Sequence, residues 1–432
     1  MSRKRILILG AGLAGLSVAW HLQRRDIDCQ IFEKESEIGG LCRSKFLSAF
    51  TFDHSGHLLH FRHAYVFNLI KKLLRNNLLE HQRNSWIYSQ RRYTAYPFQV
   101  NLRGLPSPII KECLRGFIEA NHNGQRKKNK KLNFLGWINQ TFGKGIARHF
   151  MIPYNNKFWT ISPEKLTCEW VDGFIPVPSL NEMIEGATKG NQRQFGYNAR
   201  FWYPERGGIS QIPLALASQI KNIHTNCQVS EIDLDKKQIK MSSGNKERFD
   251  CLISTIPLPE MPHLVKGMTK QMRSLFKKLR WNSIFNLNLG IDLKDSHRRH
   301  WIYFPEKEFC FFRVGFFHNF SSYLVPSNKG SLYVEVSYSK DKPIDKSKII
   351  LRVQEDLKKA GLIGQGAKIY AQDINDIKYS YPIYDNNYRP VRESILRFLS
   401  QNNILSCGRY GSWQYMSMED AILNGRDAAK GI

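Results

Sequence analysis

The sequence predicts an α/β protein. A Rossmann-like dinucleotide-binding domain is built in separate passes of the chain, with a mainly helical insertion and an antiparallel-sheet domain between them. Three observations lead there. A GxGxxG turn joins an apolar strand to an amphipathic helix near the N-terminus, a buried-strand pattern returns in mid-chain, and a third short apolar strand precedes Gly-Arg near the C-terminus.

The first element carries the most information. Ile6, Leu7, Ile8 and Leu9 lead into Gly10-Ala11-Gly12-Leu13-Ala14-Gly15, a helix pattern follows, and a second strand, Cys29 to Phe32, ends at Glu33. This β-turn-helix-β context makes the glycine spacing specific for a dinucleotide. Gly10 permits the tight turn, Gly12 lets the backbone approach a pyrophosphate at the helix N-terminus, and Gly15 lets helix and strand pack closely. Glu33 stands where a carboxylate accepts hydrogen bonds from a ribose 2′-hydroxyl. Gly39-Gly40-Leu41-Cys42-Arg43 follows. A Gly-Gly pair shortly after the ribose acid resembles the fingerprint of FAD enzymes of the glutathione-reductase and amine-oxidase type. Phe52-Asp53-His54-Ser55-Gly56-His57 resembles their element that approaches the flavin ring. At the other end, Ile404 to Ser406 runs into Cys407-Gly408-Arg409-Tyr410-Gly411. A last helix is expected from near Ser417, with Glu419 and Asp420 in its first turn, where the dipole favours acids. FAD elements at both ends imply a discontinuous GR2-type FAD-binding domain over 1–64, 198–280 and 395–432.

The intervening segments read differently. Residues 65–197 are expected to be mainly helical, with apolar residues at helical spacing over Phe67 to Leu74 and Ile109 to Ala120. A hairpin-like stretch lies between them, Ser85 to Tyr88 and Arg92 to Pro97. In 198–280, Ala199 to Tyr203, Cys227 to Ile232 and Gln238 to Met241 alternate like strands, and Asp250 to Pro257 reads as a buried parallel strand. Residues 281–394 are expected to form a sheet-rich substrate domain. Its strands are Phe285 to Leu293, Trp301 to Phe304, Phe309 to Val314 and Ser331 to Ser337, before a helix at Lys346 to Ala360.

With 432 residues, two or three units are expected. No apolar run approaches the roughly 18 residues of a membrane span, and Met1 to Arg5 leads straight into the first strand, so neither a span nor a signal peptide is expected. The eight cysteines form no CxxC and no zinc-like pairing with histidine. No metal is expected, and a reducing cytoplasm is the expected location. The net charge of +27 suits an anionic small molecule, an anionic membrane surface or nucleic acid. The one dense basic run, Arg126 to Lys131, reads as a solvated loop, and no nucleic-acid motif accompanies it, so no nucleic-acid partner is expected.

Further motifs lie in order along the chain. They are Tyr96-Pro97-Phe98-Gln99-Val100-Asn101-Leu102, Pro153-Tyr154-Asn155-Asn156-Lys157-Phe158-Trp159, Gly196 to Pro204, Arg206-Gly207-Gly208, Trp301 to Glu306, Phe311-Phe312-Arg313-Val314, Asn319-Phe320-Ser321, Tyr379 to Pro382 and Gly408 to Tyr415. The set resembles the UDP-galactopyranose mutases, the eukaryotic branch more than the usual bacterial one. These sit within a wider superfamily of FAD proteins with the protoporphyrinogen oxidases and amine oxidases.

The resemblance implies a FAD enzyme that interconverts the pyranose and furanose forms of a nucleotide-linked hexose, UDP-galactose-like, for glycan biosynthesis. Reduced FAD acts there as a nucleophile through N5 at the anomeric carbon, with NAD(P)H a candidate reductant. Arg313, His57 and Trp159 take the catalytic positions. Arg313 holds the pyrophosphate with a planar fork, Tyr303, Tyr381 and Tyr415 donate hydroxyls to it, Trp159 and Asn155 line the sugar pocket, and Asn198 lies nearby. His57 and Arg409 lie beside the flavin. The implied cofactor set is Gly10, Gly12, Ala14, Gly15, Glu33, Gly40, Arg43, Val229, Gly408, Arg409, Ser417 and Met418. By their own neighbours, Trp159 and Tyr303 also fit a core, His57 also fits a structural role, and Arg313 needs a partner if buried. One departure stands out. Between Trp170 and Pro178 the family carries a second pyrophosphate-gripping arginine, and Phe174 stands at that position. Losing a charged hydrogen bond costs about 1.5–3 kcal/mol of binding. An alternative is therefore a net redox FAD oxidoreductase of the amine-oxidase or protoporphyrinogen-oxidase type.

The purified protein should be yellow and release FAD rather than FMN. Gly12→Val should abolish cofactor retention, because a side chain there blocks the pyrophosphate. A colourless protein that FAD cannot reconstitute refutes the cofactor assignment.

Overall fold

The structure, a computed structural model, describes residues 4–124, 132–189, 195–196, 198–292 and 297–432. The basic run Arg126 to Lys131, Tyr197 and Leu293 lie outside these residues. Five short parallel strands form the first sheet, in the order Ile404–Ser406, Cys251–Ser254, Ile6–Leu9, Gln30–Phe32 and Ile223–His224. Ile6–Leu9 is buried along its length, because a central parallel strand is covered on both faces. Separate passes of the chain thus build one sheet, as the glycine motifs at both ends lead one to expect.

The helix Leu13–Gln23 packs against the C-terminal helix Met418–Lys430. Gly425 makes the crossing close, since a Cβ there would stand 2.6 Å from the Ala14 carbonyl oxygen. Ser17 Oγ donates to the Ile422 carbonyl at 2.6 Å. Glu419, 1% exposed, does more than complement its own helix dipole. Its carboxylate accepts the backbone N–H of Arg62 (3.0 Å to each oxygen) and of His63 (2.9 Å). His63 is the N-cap of Ala64–Leu74, so a residue from the other end of the chain satisfies the N–H groups at and just before this helix start.

The largest sheet has seven strands, ordered Ile369–Pro382, Trp281–Asp292, Lys329–Tyr338, Arg313–Phe316, Trp301–Tyr303, Ser85–Ser89 and Arg92–Ala95. It is antiparallel except where Trp301–Tyr303 runs parallel to Ser85–Ser89, so the hairpin within the helical segment completes its edge. Its two faces differ. Leu287, Leu289, Val334 and Val336 pack with Val353 and Leu357 of the helix Ile349–Lys359. Asn286, Asn288, Glu335 and Asp373 are buried on the opposite face. The 53–57 segment lies on that polar face: Ser55 N–H donates to Asn286 Oδ1 (3.1 Å) and Asn288 Nδ2 donates to the Asp53 carbonyl (2.9 Å).

Helices Ser107–Gly124 and Phe134–Ile146 pack through glycine. A Cβ on Gly143, held at φ +74°, would meet the Gly116 oxygen at 2.0 Å. A short π-helical segment, Ala147–Met151, then turns into Ile152–Trp159. Among the described residues no helix is long and apolar enough to cross a membrane.

Two expectations need correction. The expected strand Phe309 to Val314 starts only at Arg313. Phe309, Phe311 and Phe312 are buried from a loop, which the Lys157 ammonium holds by donating to the carbonyls of Phe304, Glu306 and Phe311. Burial, not sheet pairing, put the apolar residues there. The helix expected from Lys346 begins at Ile349. The long strand Ile369–Pro382 and the helix Tyr388–Gln401 went unanticipated.

Glu419→Ala should leave the Arg62 and His63 N–H groups without their acceptor. It should cost about 2–4 kcal/mol of stability, measured by urea denaturation with an unchanged m-value. A cost below about 0.5 kcal/mol would show that the cap is dispensable.

Candidate active site

The N-terminal turn is shaped for a group the chain does not itself supply. Gly10, at φ +98°, donates its N–H to the Phe32 carbonyl (2.8 Å). A Cβ on Gly15 would stand 2.0 Å from the Gly10 oxygen, so Gly15 is required by packing. Gly12 is different. It is the N-cap of Leu13–Gln23 with no side-chain cap, and a Cβ there would meet only Gly40 Cα, at 3.9 Å. The chain's own packing therefore does not require glycine here, and the N–H groups of a helix N-terminus suit a pyrophosphate. Gly408, at φ +76°, closes on Ala14, whose Cβ would be 2.5 Å from an added Cβ.

Of the other expected cofactor residues, Glu33 and Gly40 lie against this turn, and the rest are placed as follows. Glu33 is buried and accepts the Ala11 N–H (2.7 Å) and the Glu35 N–H (3.0 Å). Each oxygen keeps further acceptor capacity for a ribose hydroxyl. Arg43 Nε donates to the Gly40 carbonyl (2.8 Å) and so braces the Gly-Gly loop. Val229 starts the strand Val229–Asp233, two residues beyond Cys227, whose N–H donates to the Glu33 carbonyl (2.7 Å). Ser417 caps Met418–Lys430 in a capping box with Asp420, and Met418 is buried at its first turn.

A cavity of about 200 Å³ lies beside the seven-stranded sheet. It brings together six expected substrate residues, Asn155, Trp159, Tyr303, Arg313, Tyr381 and Tyr415. Tyr381 and Tyr415 stack with ring centroids 5.6 Å apart. Phe174 stands on the wall edge-on to Tyr415, centroids 5.1 Å apart. Trp159 is buried, with its Nε1 unpartnered. Trp159 is thus a core residue that also forms part of the cavity wall.

Arg313 has the partner its burial requires. Its Nε and Nη2 donate to the two oxygens of Glu335, Nη2 at 2.8 Å, and Ser55 Oγ also donates to Glu335. Arg313 and Glu335 are direct cross-strand neighbours. The fork expected to grip a ligand is thus already engaged, and only Nη1 lies outside the pair.

Arg409 sits behind the tyrosine stack, its guanidinium carbon 4.6 Å from the Tyr381 centroid and 5.0 Å from that of Tyr415. It donates to the carbonyls of Met416 (2.9 Å) and Ser380 (2.7 Å), while its Nε is buried without a partner. His57 is enclosed nearby. Burial, then the field of Arg409, pushes its pKa down to about 4, so it is neutral at pH 7. Asn198 is not on the cavity wall. Its Oδ1 accepts from Arg83, which lies over the ring of Tyr96, and Tyr96 lines the cavity.

The residues that sequence reasoning did not assign include Tyr96, Tyr154, Phe158, Trp170 and Tyr384, all on the wall, and Glu335 behind it. The i, i+4 spacing of Tyr154 and Phe158 was readable as one helix face. Pairing Glu335 with Arg313 needed the strand register.

Two groups of the 53–57 segment titrate in opposite senses. Asp53 accepts from Ser44 Oγ (2.6 Å), Tyr203 OH (2.6 Å) and the Ile209 N–H (3.1 Å), yet burial raises its pKa from 3.8 to about 6. Its folded form keeps a proton that the unfolded form loses, so this contribution is full below pH 3.8 and lost as pH rises through 6. His57 rejects a proton that the unfolded form accepts below pH 6.5, so its contribution is full above 6.5 and lost as pH falls through 4. Between pH 4 and 6 the two oppose each other, each by about 1.4 kcal/mol per pH unit at most. Asp53→Asn should therefore steepen the loss of stability on acidification in the FAD-loaded protein, and His57→Gln should flatten or invert it. Urea midpoints across that range that run parallel in wild type and both variants would contradict this.

Comparison with known proteins gives a consistent picture. The pattern of the flavin containing amine oxidoreductases matches residues 13–432. The chain is 24% identical over 400 residues to a 4,4'-diapophytoene desaturase (4,4'-diapolycopene-forming) of Methylomonas sp, covering 77% of this chain and 73% of that protein. It is 26% identical over 303 residues to the mitochondrial protoporphyrinogen oxidase of Nicotiana tabacum, covering 60% and 58%. A crystal structure of reduced UDP-galactopyranose mutase superposes with a TM-score of 0.94 at 28% identity, covering 100% of this chain and 94% of that one. The cyclohexylamine oxidase from Brevibacterium oxydans IH-35A shares the fold, with a TM-score of 0.69 at 13% identity over 99% and 98%. A family pattern over nearly the whole chain, on a fold whose N-terminal turn fits a dinucleotide, leads to one conclusion: the chain belongs to the flavin containing amine oxidoreductases, with FAD as its cofactor.

Proposed function

We propose that the protein is a FAD-dependent mutase that interconverts the pyranose and furanose forms of a nucleotide-linked hexose of the UDP-galactose type, within glycan biosynthesis. The observation that carries this reading is the convergence of Asn155, Trp159, Tyr303, Arg313, Tyr381 and Tyr415 on one cavity. The whole-chain likeness to a UDP-galactopyranose mutase supports it. Reduced flavin, when bound, supplies the nucleophile, so no protein nucleophile is required.

The chain's own residues bind, orient and exclude water. Glu335 fixes the plane of the Arg313 guanidinium before a ligand arrives, and Nη1 offers a preorganised donor to a phosphate oxygen. The hydroxyls of Tyr303, Tyr381 and Tyr415 add neutral donors to the departing diphosphate. Trp159 offers its face to the sugar. Asn155 Nδ2 donates to the Met151 carbonyl (2.8 Å), which leaves Oδ1 to accept from a sugar hydroxyl. The aromatic walls keep water from a glycosyl group that would otherwise hydrolyse.

A second reading, a net redox FAD oxidoreductase, rests on Phe174. An aromatic edge packed on Tyr415 replaces the expected second cation and makes that wall apolar. The two readings separate experimentally. FAD-loaded protein, chemically reduced and given UDP-galactofuranose, should yield the pyranose isomer with no stoichiometric use of reductant. Oxygen uptake proportional to product would move the assignment to the redox reading.

Phe174→Arg should tighten UDP binding about ten-fold or more, followed by flavin absorbance, because a charged hydrogen bond to phosphate is worth about 1.5–3 kcal/mol. If the true substrate is apolar on that side, the same change buries an unpaired charge and lowers both stability and ligand binding. No UDP binding by wild type or by Phe174→Arg would remove the nucleotide-sugar assignment.

A further inference from the structure

The short helix Ile152–Trp159 carries one wall of the cavity, with Asn155, Phe158 and Trp159 on it. It follows directly on the π-helical segment Ala147–Met151 and ends at Thr160, in the left-handed region at φ +63°. Two polar side chains, Lys157 and Asn282, fasten this helix to the seven-stranded sheet. Both are buried, and neither lies on the cavity wall.

Lys157 fastens one side. It is 6% exposed, and its three ammonium donors go to the backbone carbonyls of Phe304 (2.7 Å), Glu306 and Phe311 (3.1 Å). These carbonyls lie in the loop between Trp301–Tyr303 and Arg313–Phe316, so the lysine ties the helix of Trp159 to the connection that carries Tyr303 and Arg313 at its ends. Burial, then the charge of Lys342, pulls its pKa down to about 7, while the three carbonyls favour the charged form.

Asn282 fastens the other side. Its Nδ2 donates to the Phe158 carbonyl (2.6 Å), one of the last acceptors of the helix, which have no partner within it. Its Oδ1 accepts the Tyr381 N–H (3.0 Å). The ladder between its strand and Ile369–Pro382 shifts register directly after Asn282, and the amide takes up the Tyr381 N–H at that irregularity. Both halves of one side chain are thus used to join the backbones of two wall residues.

We propose that Lys157 and Asn282 are positioning residues for the ligand of this cavity. Lys157 sets the helix against Tyr303 and Arg313, and Asn282 sets it against Tyr381. The identity of the ligand rests on the mutase reading, and the two fastenings rest on geometry alone. Misplacement by about 1 Å at such a wall costs about 100-fold in rate.

The test uses FAD-loaded protein at about pH 6, below the Lys157 pKa. Lys157→Met keeps the bulk of the stem and removes the donors, and Asn282→Ala removes both amide bonds. Each should weaken UDP binding, followed by flavin absorbance, about ten-fold or more while keeping its flavin content. A ligand-free measurement goes with it. In protein labelled with fluorotyrosine, with signals assigned through Tyr303→Phe and Tyr381→Phe, Lys157→Met should move the fluorine signal of Tyr303 and Asn282→Ala that of Tyr381. UDP affinity within about two-fold of wild type in either variant, with only a lower urea midpoint, makes that residue structural and overturns the proposal. If wild type binds no UDP, the nucleotide-sugar reading falls and the fluorine signals decide alone: moved signals uphold the proposal and unmoved signals overturn it. If Lys157→Met does not fold, Asn282→Ala, which removes no charge, decides by the same two measurements.

Discussion

The pair of half-buried Arg313 and buried Glu335 is the interaction on which the candidate site depends. It sits at a direct cross-strand register in the large sheet, and Ser55 from the segment beside the cofactor turn donates into it. One carboxylate thus joins the sheet, the 53–57 segment and the cavity wall. Pairing cancels most of the cost of burying either charge, while removing one partner leaves the other uncompensated, at about 3–5 kcal/mol. Any change at Arg313 is therefore felt in the fold as well as in binding. Loss of binding in Arg313→Ala alone cannot be read as loss of a ligand contact.

The same pair reshapes the electrostatics of the cavity. Arg313 reaches the wall already half spent, and Arg409 stands behind two tyrosine rings, held by carbonyls and π faces and close to the hydroxyls of Tyr381 and Tyr410. The field in the cavity is then set by an arginine paired with a carboxylate and, behind it, one with no carboxylate partner among the described residues. Such a site favours an anion held by hydroxyl and single N–H donors over one clasped by two forks. Phe174, packed edge-on to Tyr415, has the same effect. The mutase and redox readings differ in whether that weaker cationic character still suffices for a diphosphate.

The cofactor domain was legible in the sequence because its requirements are local. Gly10, Gly12, Gly15 and Glu33 lie within one βαβ unit, and backbone geometry dictates their spacing. Most of the cavity was legible through the ordered motifs, which named Trp159, Tyr303 and Tyr381 without showing that they meet. The partner of Arg313 was not, because register between distant strands leaves no trace in either strand alone. The strand Ile369–Pro382 was overlooked because it is an edge strand with exposed polar residues between buried ones, which dilutes its apolar signal. The loop at Phe309 misled for the converse reason. It is apolar because it is buried, and Lys157, far off in sequence, takes its Phe311 carbonyl in place of a strand neighbour.

The order of the parallel sheet bears on how the protein is made. Ile6–Leu9, the central strand, leaves the ribosome some 240 residues ahead of its neighbour Cys251–Ser254, and Ile404–Ser406 emerges later still. The nascent chain therefore carries an apolar strand with an unpaired edge while those residues are made. The groove for the dinucleotide cannot be complete until Gly408 and the helix that follows it have arrived. Cofactor capture is then a late event, coupled to the final closure of the sheet, and the contacts that close it span almost the whole chain.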